Sequence, residues 1–140
     1  MTNCGRVVPG PKAIGLAPKA TFLIYEAPNS GTNAPGSGPY DLLNTIVAQD
    51  RAHVVSVSWG ECEQVQGSNV LSAESTLFEE AAAQGQSVVA ATGDNGSEDC
   101  NNGAGVNNQL AVDDPGSQPF VTGVGGTTLT APGPPPTEIV

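Results

Sequence analysis

Hydrophobic and polar positions along this chain follow two rhythms. Four short runs are almost continuously apolar: residues 20–25 (ATFLIY), 54–58 (VVSVS), 87–91 (SVVAA) and 120–124 (FVTGV). Runs of this length, rich in β-branched residues and bounded by turn residues, read as buried strands. Two longer segments space their apolar residues as a helix does. Residues 41–52 put Leu42, Leu43, Ile46 and Val47 on one stripe, and residues 70–84 do the same with Leu77, Phe78, Ala81 and Ala82. Gly85 follows the second stripe as a residue suited to end a helix. The order is strand, helix, strand, helix, strand, then a long loop and another strand. It predicts right-handed βαβ crossovers and an α/β fold, with the runs 20–25, 54–58 and 87–91 as parallel strands of one sheet. Strands this apolar are expected to be covered on both faces.

Two long loops interrupt the pattern, 29–39 (NSGTNAPGSGP) and 100–118, the second rich in Asn, Gly and Asp. Loops of that length in a compact domain are usually functional or disordered. The 140 residues suggest one domain. Residues 1–15 read as a poorly ordered segment, 16–130 as the folded unit and 131–140 as a Pro-rich tail without a core of its own. With 18 glycines and only 4% aromatic residues, close backbone packing is expected rather than a bulky aromatic core.

Charge narrows the function classes. There are 14 acidic residues against 4 basic ones, a net charge of −10. That balance argues against nucleic-acid and anionic-membrane partners, which select Lys/Arg clusters. It fits equally a protein kept soluble by charge and one that works in acid. No stretch approaches the ~20 apolar residues of a membrane span. The opening residues MTNCGRVVPGPKAIG hold no apolar core of a secretory signal, although a leader further upstream is compatible with the chain. A monomer is expected. Cys4, Cys62 and Cys100 allow one disulfide and one leftover thiol, or three thiols.

In an open parallel sheet, sites form at the carboxyl ends of the strands. Three unusual tips lie there: Tyr25-Glu26-Ala27-Pro28, Ser58-Trp59-Gly60 and Gly93-Asp94-Asn95-Gly96. Ordinary turn chemistry explains any one of them; their convergence points to a site. An EF-hand reading of the Asp94 loop fails, because the positions that need Gly and Glu hold Asp99 and Gly105. The loop also lacks the G-x-G-x-x-G of a dinucleotide site. Asn95-Gly96-Ser97 is a glycosylation sequon, common by chance. His53 has no Cys or second His at ligand spacing, so a surface or capping role outweighs metal binding.

Four stretches in register, LAPKATFLIYEAPNSG, VVSVSWGECE, FEEAAAQGQSVVAATGDNGSEDC and QPFVTGVGGTTL, resemble the sedolisin family of serine-carboxyl peptidases over residues 16–129. The resemblance implies a subtilisin-like, doubly wound parallel sheet, present in part, and an acid-active enzyme with a Ser-Glu-Asp triad. It also implies secretion, peptide or protein substrates, and calcium bound further along the family's chain than this sequence reaches; no cofactor or metal is expected here. By the same resemblance Asp94 would help form the oxyanion hole. A carboxylic acid does that only when protonated, because an ionised one repels the developing charge; acid and a buried tip would both favour the proton. Ser58, Trp59, Gly60 and Gly93 would line the substrate cleft.

Departures from the family pattern matter as much. Its catalytic Glu and Asp, spaced E-x-x-x-D on a helix, would fall at Gly5 and Pro9, and residues 1–13 contain no carboxylate. The nucleophile motif GTS is absent, and GGTTL at 125–129 is a strand-and-turn motif. Cys62 and Cys100 each follow one of the cleft tips, and a bridge between them is expected, with Cys4 left over. The expected function is a portion of a peptidase catalytic domain, inactive alone. The rival readings are a peptide-binding pseudo-enzyme and a plain structural α/β domain.

Overall fold

The structure is a computed structural model that describes residues 3–7, 13–28, 36, 38–101, 109–131, 133 and 137–139. Its elements in chain order are β1 (Asn3–Val7), α1 (Ala13–Leu16), β2 (Leu23–Glu26), α2 (Gly38–Gln49), β3 (Val54–Val57), β4 (Glu61–Cys62), α3 (Ser68–Ala83), β5 (Ser87–Ala91), β6 (Asp113–Asp114), β7 (Val121–Val124), β8 (Thr128–Ala131) and β9 (Thr137–Ile139). The centre is a parallel sheet in the order β3-β5-β7. Val55 lies beside Val88, and Val88 beside Val121, so these three share a face.

On that face the two long helices close the core. Leu43, Ile46 and Val47 of α2 meet Leu77, Phe78 and Ala81 of α3 over Val55 and Val88. Of the stripes read from the sequence, Leu43, Ile46, Val47, Leu77, Phe78 and Ala81 are buried, whereas Leu42 is half-buried and Ala82 is exposed. The end of α3 follows the expected chemistry. Gly85 takes φ +88°, the Gln86 N–H donates to the Ala81 carbonyl at 2.9 Å and the Gly85 N–H donates to the Ala82 carbonyl at 3.1 Å. This pair of bonds is the Schellman closure that a left-handed glycine permits. Two glutamines then lock the helix ends to the sheet: Gln84 Nε2 donates to the Val47 carbonyl and Gln86 Nε2 to the Ala52 carbonyl, each at 2.8 Å.

Three expectations change. First, β2 does not join the β3-β5-β7 sheet; its ladder partner is β1, antiparallel. An apolar cavity of about 430 Å³ separates β2 from β3, lined among others by Leu23, Tyr25, Val55, Val57 and Trp59. Periodicity identifies a strand but not its neighbour, and β1 carries no apolar run that would have announced it. Second, the helices cover one face of the central sheet. On the other face Val54 remains 67% exposed and Ser56, Thr122 and Val124 are exposed too. Third, the Pro-rich end supplies a strand, since β9 pairs antiparallel with β8, Thr128 beside Ile139 and Leu129 beside Glu138. Pro9 lies outside the described residues, as do the side chains of Cys4 and Gly5's neighbours in β1.

Candidate active site

The site is built where β5 ends. Thr92 is clamped by its backbone: its N–H donates to the Val124 carbonyl at 3.3 Å, and its carbonyl accepts from the Asp113 N–H at 3.0 Å. The chain then has to turn sharply between β7 and β6. Gly93 does so with φ +115°, a conformation that L side chains rarely adopt. A Cβ there would also run into the carboxyl of Asp99.

Asp99 organises the turn. It is 8% exposed, and its Oδ1 accepts hydrogen bonds from the backbone N–H groups of Asp94 at 2.8 Å and Asn95 at 2.9 Å. The Asn95 side-chain amide lies at 3.5 Å from the same oxygen. Two successive N–H groups converging on one anion form a backbone nest. Because the turn spends its backbone donors inward on Asp99, the Asp94 side chain faces outward and is exposed. The expectation of a buried Asp94 tip is therefore corrected.

Asp113 of β6 completes the arrangement. Asp113 and Asp99 are close enough for each carboxyl to shift the other's titration. The Asp113 carboxyl, backed by the Asn95 and Asp94 N–H groups, holds the Asp99 carboxyl below its ordinary range, although burial opposes it. Asp113 is pushed up to about 7, chiefly by burial, then by the neighbouring Asp99 carboxyl and by the charges of Asp94 and Glu61. The two shifts run in opposite directions, with Asp113 the member that keeps a proton more readily and Asp99 the one that ionises more readily.

β6 reaches this position by pairing antiparallel with β4, Cys62 beside Asp113 and Glu61 beside Asp114. Gly60 makes the approach possible, since a Cβ there would meet the Asp114 carbonyl oxygen at 2.8 Å and Asp113 Oδ2 at 2.9 Å. Cys62 and Cys100 are joined in a disulfide with a Cα separation of 5.2 Å, which ties β4 to the residue after Asp99. Gly60, Cys62, Gly93, Asp94 and Cys100, all singled out in the sequence, thus converge around β6. Ser58 and Trp59 line the apolar cavity between β3 and β2 instead.

On the opposite side of β6, Asp114 is 0% exposed and accepts from Gln118 Nε2 at 2.6 Å. Glu74 of α3, also 0% exposed, is pushed up to about 10 by burial first and then by the neighbouring Asp114. It is a neutral acid throughout the ordinary pH range. Sequence reading missed Asp99, Asp113 and Glu74. The available signal for Asp99 was a carboxylate within six residues of a turn glycine, followed at once by a cysteine. Among the described residues no three His, Cys, Asp or Glu side chains are placed to hold a metal ion, and no helix is long and apolar enough to cross a membrane.

Comparison with known proteins agrees with this geometry. Residues 2–133 match the subtilase family. Sedolisin from Pseudomonas sp. (strain 101) is 38% identical over 110 residues, which are 77% of this chain and 18% of that protein. Kumamolisin from Bacillus sp. (strain MN-32) is 38% identical over 120 residues, 83% of this chain and 20% of that protein. The solved structure of Pseudomonas sedolisin, a serine-carboxyl proteinase complexed with two molecules of pseudo-iodotyrostatin, superposes with a TM-score of 0.60 at 40% identity. That superposition covers 67% of this chain and 26% of the sedolisin chain. The chain spans about a fifth of the length of these curated relatives. It belongs to the subtilase family, is similar within it to the sedolisins, and carries part of the subtilisin-like fold.

Proposed function

We propose that this chain is the cleft-and-oxyanion portion of an acid-active, secreted serine endopeptidase of the sedolisin type, and that it does not turn over substrate alone. The observation that carries this reading is the outward-facing Asp94 on a backbone turn fixed by Asp99 at the carboxyl end of the central sheet. When a serine attacks the scissile carbonyl, its oxygen gains negative charge. Asp94 in its protonated form donates an O–H to that oxygen and lowers the barrier. Loss of one such donor typically costs ~3–4 kcal/mol.

Ser58 and Trp59, from the apolar cavity beside β3, and Gly60 and Gly93, from beside β6 and the Asp99 turn, flank the cleft from two sides, and the backbone past β3 pairs there with an extended peptide as an added strand would. The nucleophile and its activating carboxylates are not assigned to residues of this chain. Gly5 and Pro9 stand where the family's Glu and Asp are expected, and the serine motif is not in the chain. An oxyanion donor stabilises charge only after a nucleophile has attacked, so the donor alone leaves little catalysis. The family's calcium is not assigned here, because the described residues offer no fitting donor set.

The test has two arms. First, the chain is assayed on denatured protein from about pH 3 to 7, the range in which carboxylates titrate. Then the family's missing Glu, Asp and C-terminal segment are grafted on and the assay is repeated. The unmodified chain should show no turnover, and the restored enzyme should lose ~10²–10³-fold in kcat on Asp94→Ala. Turnover by the chain alone refutes the inactivity, and an unchanged kcat refutes the role of Asp94.

A further inference from the structure

We propose that Asp99 is a positioning residue of the oxyanion turn: its buried carboxylate, braced by Asp113, fixes the backbone of Asp94 and Asn95 and thereby aims the Asp94 side chain. The proposal deepens the reading of Asp94 as the oxyanion donor and rests on it.

The restraints on the turn divide into two halves. Residues 97–101 are tied by backbone bonds to the strand beside them: the Ala111 N–H donates to the Ser97 carbonyl at 3.0 Å, and the Asp99 N–H donates to the Ala111 carbonyl at 3.4 Å. The disulfide at Cys100 secures the same half. The front half, which presents Asp94, is anchored chiefly through the Asp99 carboxylate by the bonds at 2.8 Å and 2.9 Å, with one longer backbone bond besides, from the Glu98 N–H to the Asn95 carbonyl at 3.4 Å. Asp99 therefore transmits the rigidity of the tied half to the half that faces substrate. Bonds from N–H groups to a carboxylate are stronger than neutral ones, so an ionised Asp99 is the better anchor.

A buried carboxylate beside a second carboxylate holds its charge only if the neighbour keeps a proton. Asp113 is that neighbour, and it is also faced by Asp94 and by Glu61 of β4. Asp114 and Glu74 lie on the other side of β6 and form a separate pair. With Asp113 protonated, it donates to Asp99 and the anchor is complete. As pH rises through about 7, Asp113 ionises, the pair repels, and the anchor on the turn weakens. The aim of Asp94 is thus tied to the same acid conditions that protonate an oxyanion donor.

The experiment uses the uniformly ¹⁵N-labelled whole chain. Amide shifts of Asp94 and Asn95 are followed by NMR from about pH 4 to 9, a window wider than the ordinary carboxylate range. Both amides should inflect together with a midpoint near 7. Asp113→Asn, which keeps a donor to Asp99 but does not titrate, should abolish that inflection. Asp99→Asn should speed amide exchange at Asp94 and Asn95 by ~10-fold or more, the loss expected when a charged acceptor becomes neutral. The β5 amides of Val88 and Ala90 should keep their protection; a merely structural Asp99 would lower both sets alike. Flat shifts in the natural chain, an inflection that survives Asp113→Asn, or equal loss of protection in β5 would each overturn the proposal. If Asp99→Asn does not fold, the titration of the natural chain and of Asp113→Asn still decides. None of these readouts requires turnover, so they stand apart from a failure of the Asp94 role in the restored enzyme.

Discussion

Glu74→Gln should make this protein more stable at neutral pH and flatten the dependence of its stability on pH. Glu74 is 0% exposed in the packed face of α3, and its carboxyl is pushed from 4.5 to about 10 by burial and by Asp114. Below about pH 4.5 the group is protonated in both folded and unfolded chains and contributes no pH dependence. Above it, the unfolded chain releases a proton that the folded chain retains. Unfolding is then favoured by about 1.4 kcal/mol for each pH unit, until the folded-state value is reached. Between pH 4.5 and 7 the cumulative loss is at most about 3 kcal/mol, a large share of a small domain's stability. Glutamine keeps the shape and neutrality of the buried acid but has no proton to release when the chain unfolds. Urea unfolding followed by circular dichroism at both pH values gives the answer. The natural chain should lose roughly 2–3 kcal/mol more than Glu74→Gln on going to neutral pH. Asp113 lowers stability in the same direction in both proteins, so comparing the two differences isolates Glu74. Parallel pH profiles would refute the assignment of a neutral buried acid at this position.

Further outcomes follow from the core and the turn. Phe78→Ala, at a ring 1% exposed between α2 and α3, should cost ~3–5 kcal/mol in urea unfolding. Peptide mapping without reductant should recover Cys62 linked to Cys100, and reduction should lower stability by ~2–4 kcal/mol for a bridge closing a loop of this length. Gly93→Ala should cost more than ~1 kcal/mol, because it forces a left-handed residue and a collision with Asp99 together. Amide exchange at residues 94 and 95 should rise in that variant.

Much of the central α/β unit was legible because its signals are local. The stripe Leu43-Ile46-Val47 and the stripe Leu77-Phe78-Ala81 announce their buried faces by spacing alone, and Gly85 marks the end of α3. The runs 54–58 and 87–91 became β3 and β5 in parallel register, as their alternation with helices implied. What was not legible depends on partners distant in sequence. β1 has no apolar run, so nothing local told that β2 would pair with it rather than with β3. At the site, Gly60, Gly93 and the two cysteines could be singled out by type and position. The carboxylates that give those residues their reason could not. Asp99 and Asp113 lie 14 positions apart in a loop rich in Asp and Asn, where one more acid carries no signal. Their meaning appears only when β6 folds back beside β4 and brings the second carboxyl to the first.

The acidic composition admitted two explanations, solubility and work in acid, and the placement of particular carboxylates bears on the proposed acid-active reading. Charge for solubility belongs on the surface, where it stays ionised and hydrated. β6 instead carries two adjacent acids whose side chains turn to opposite sides, as successive residues of a strand do. Asp113 meets Asp99 under the oxyanion turn, and Asp114 meets Glu74 against α3. Each pair retains a proton at pH values where the unfolded chain has already lost it. A protein selected only for solubility gains nothing from burying two carboxyl pairs that become unfavourable as the medium turns neutral. Under the proposed reading, in which an oxyanion donor that is a carboxylic acid acts only when protonated, both pairs are most stable in the same acid conditions. The proton held under the turn and the proton required at its tip thus favour the same conditions.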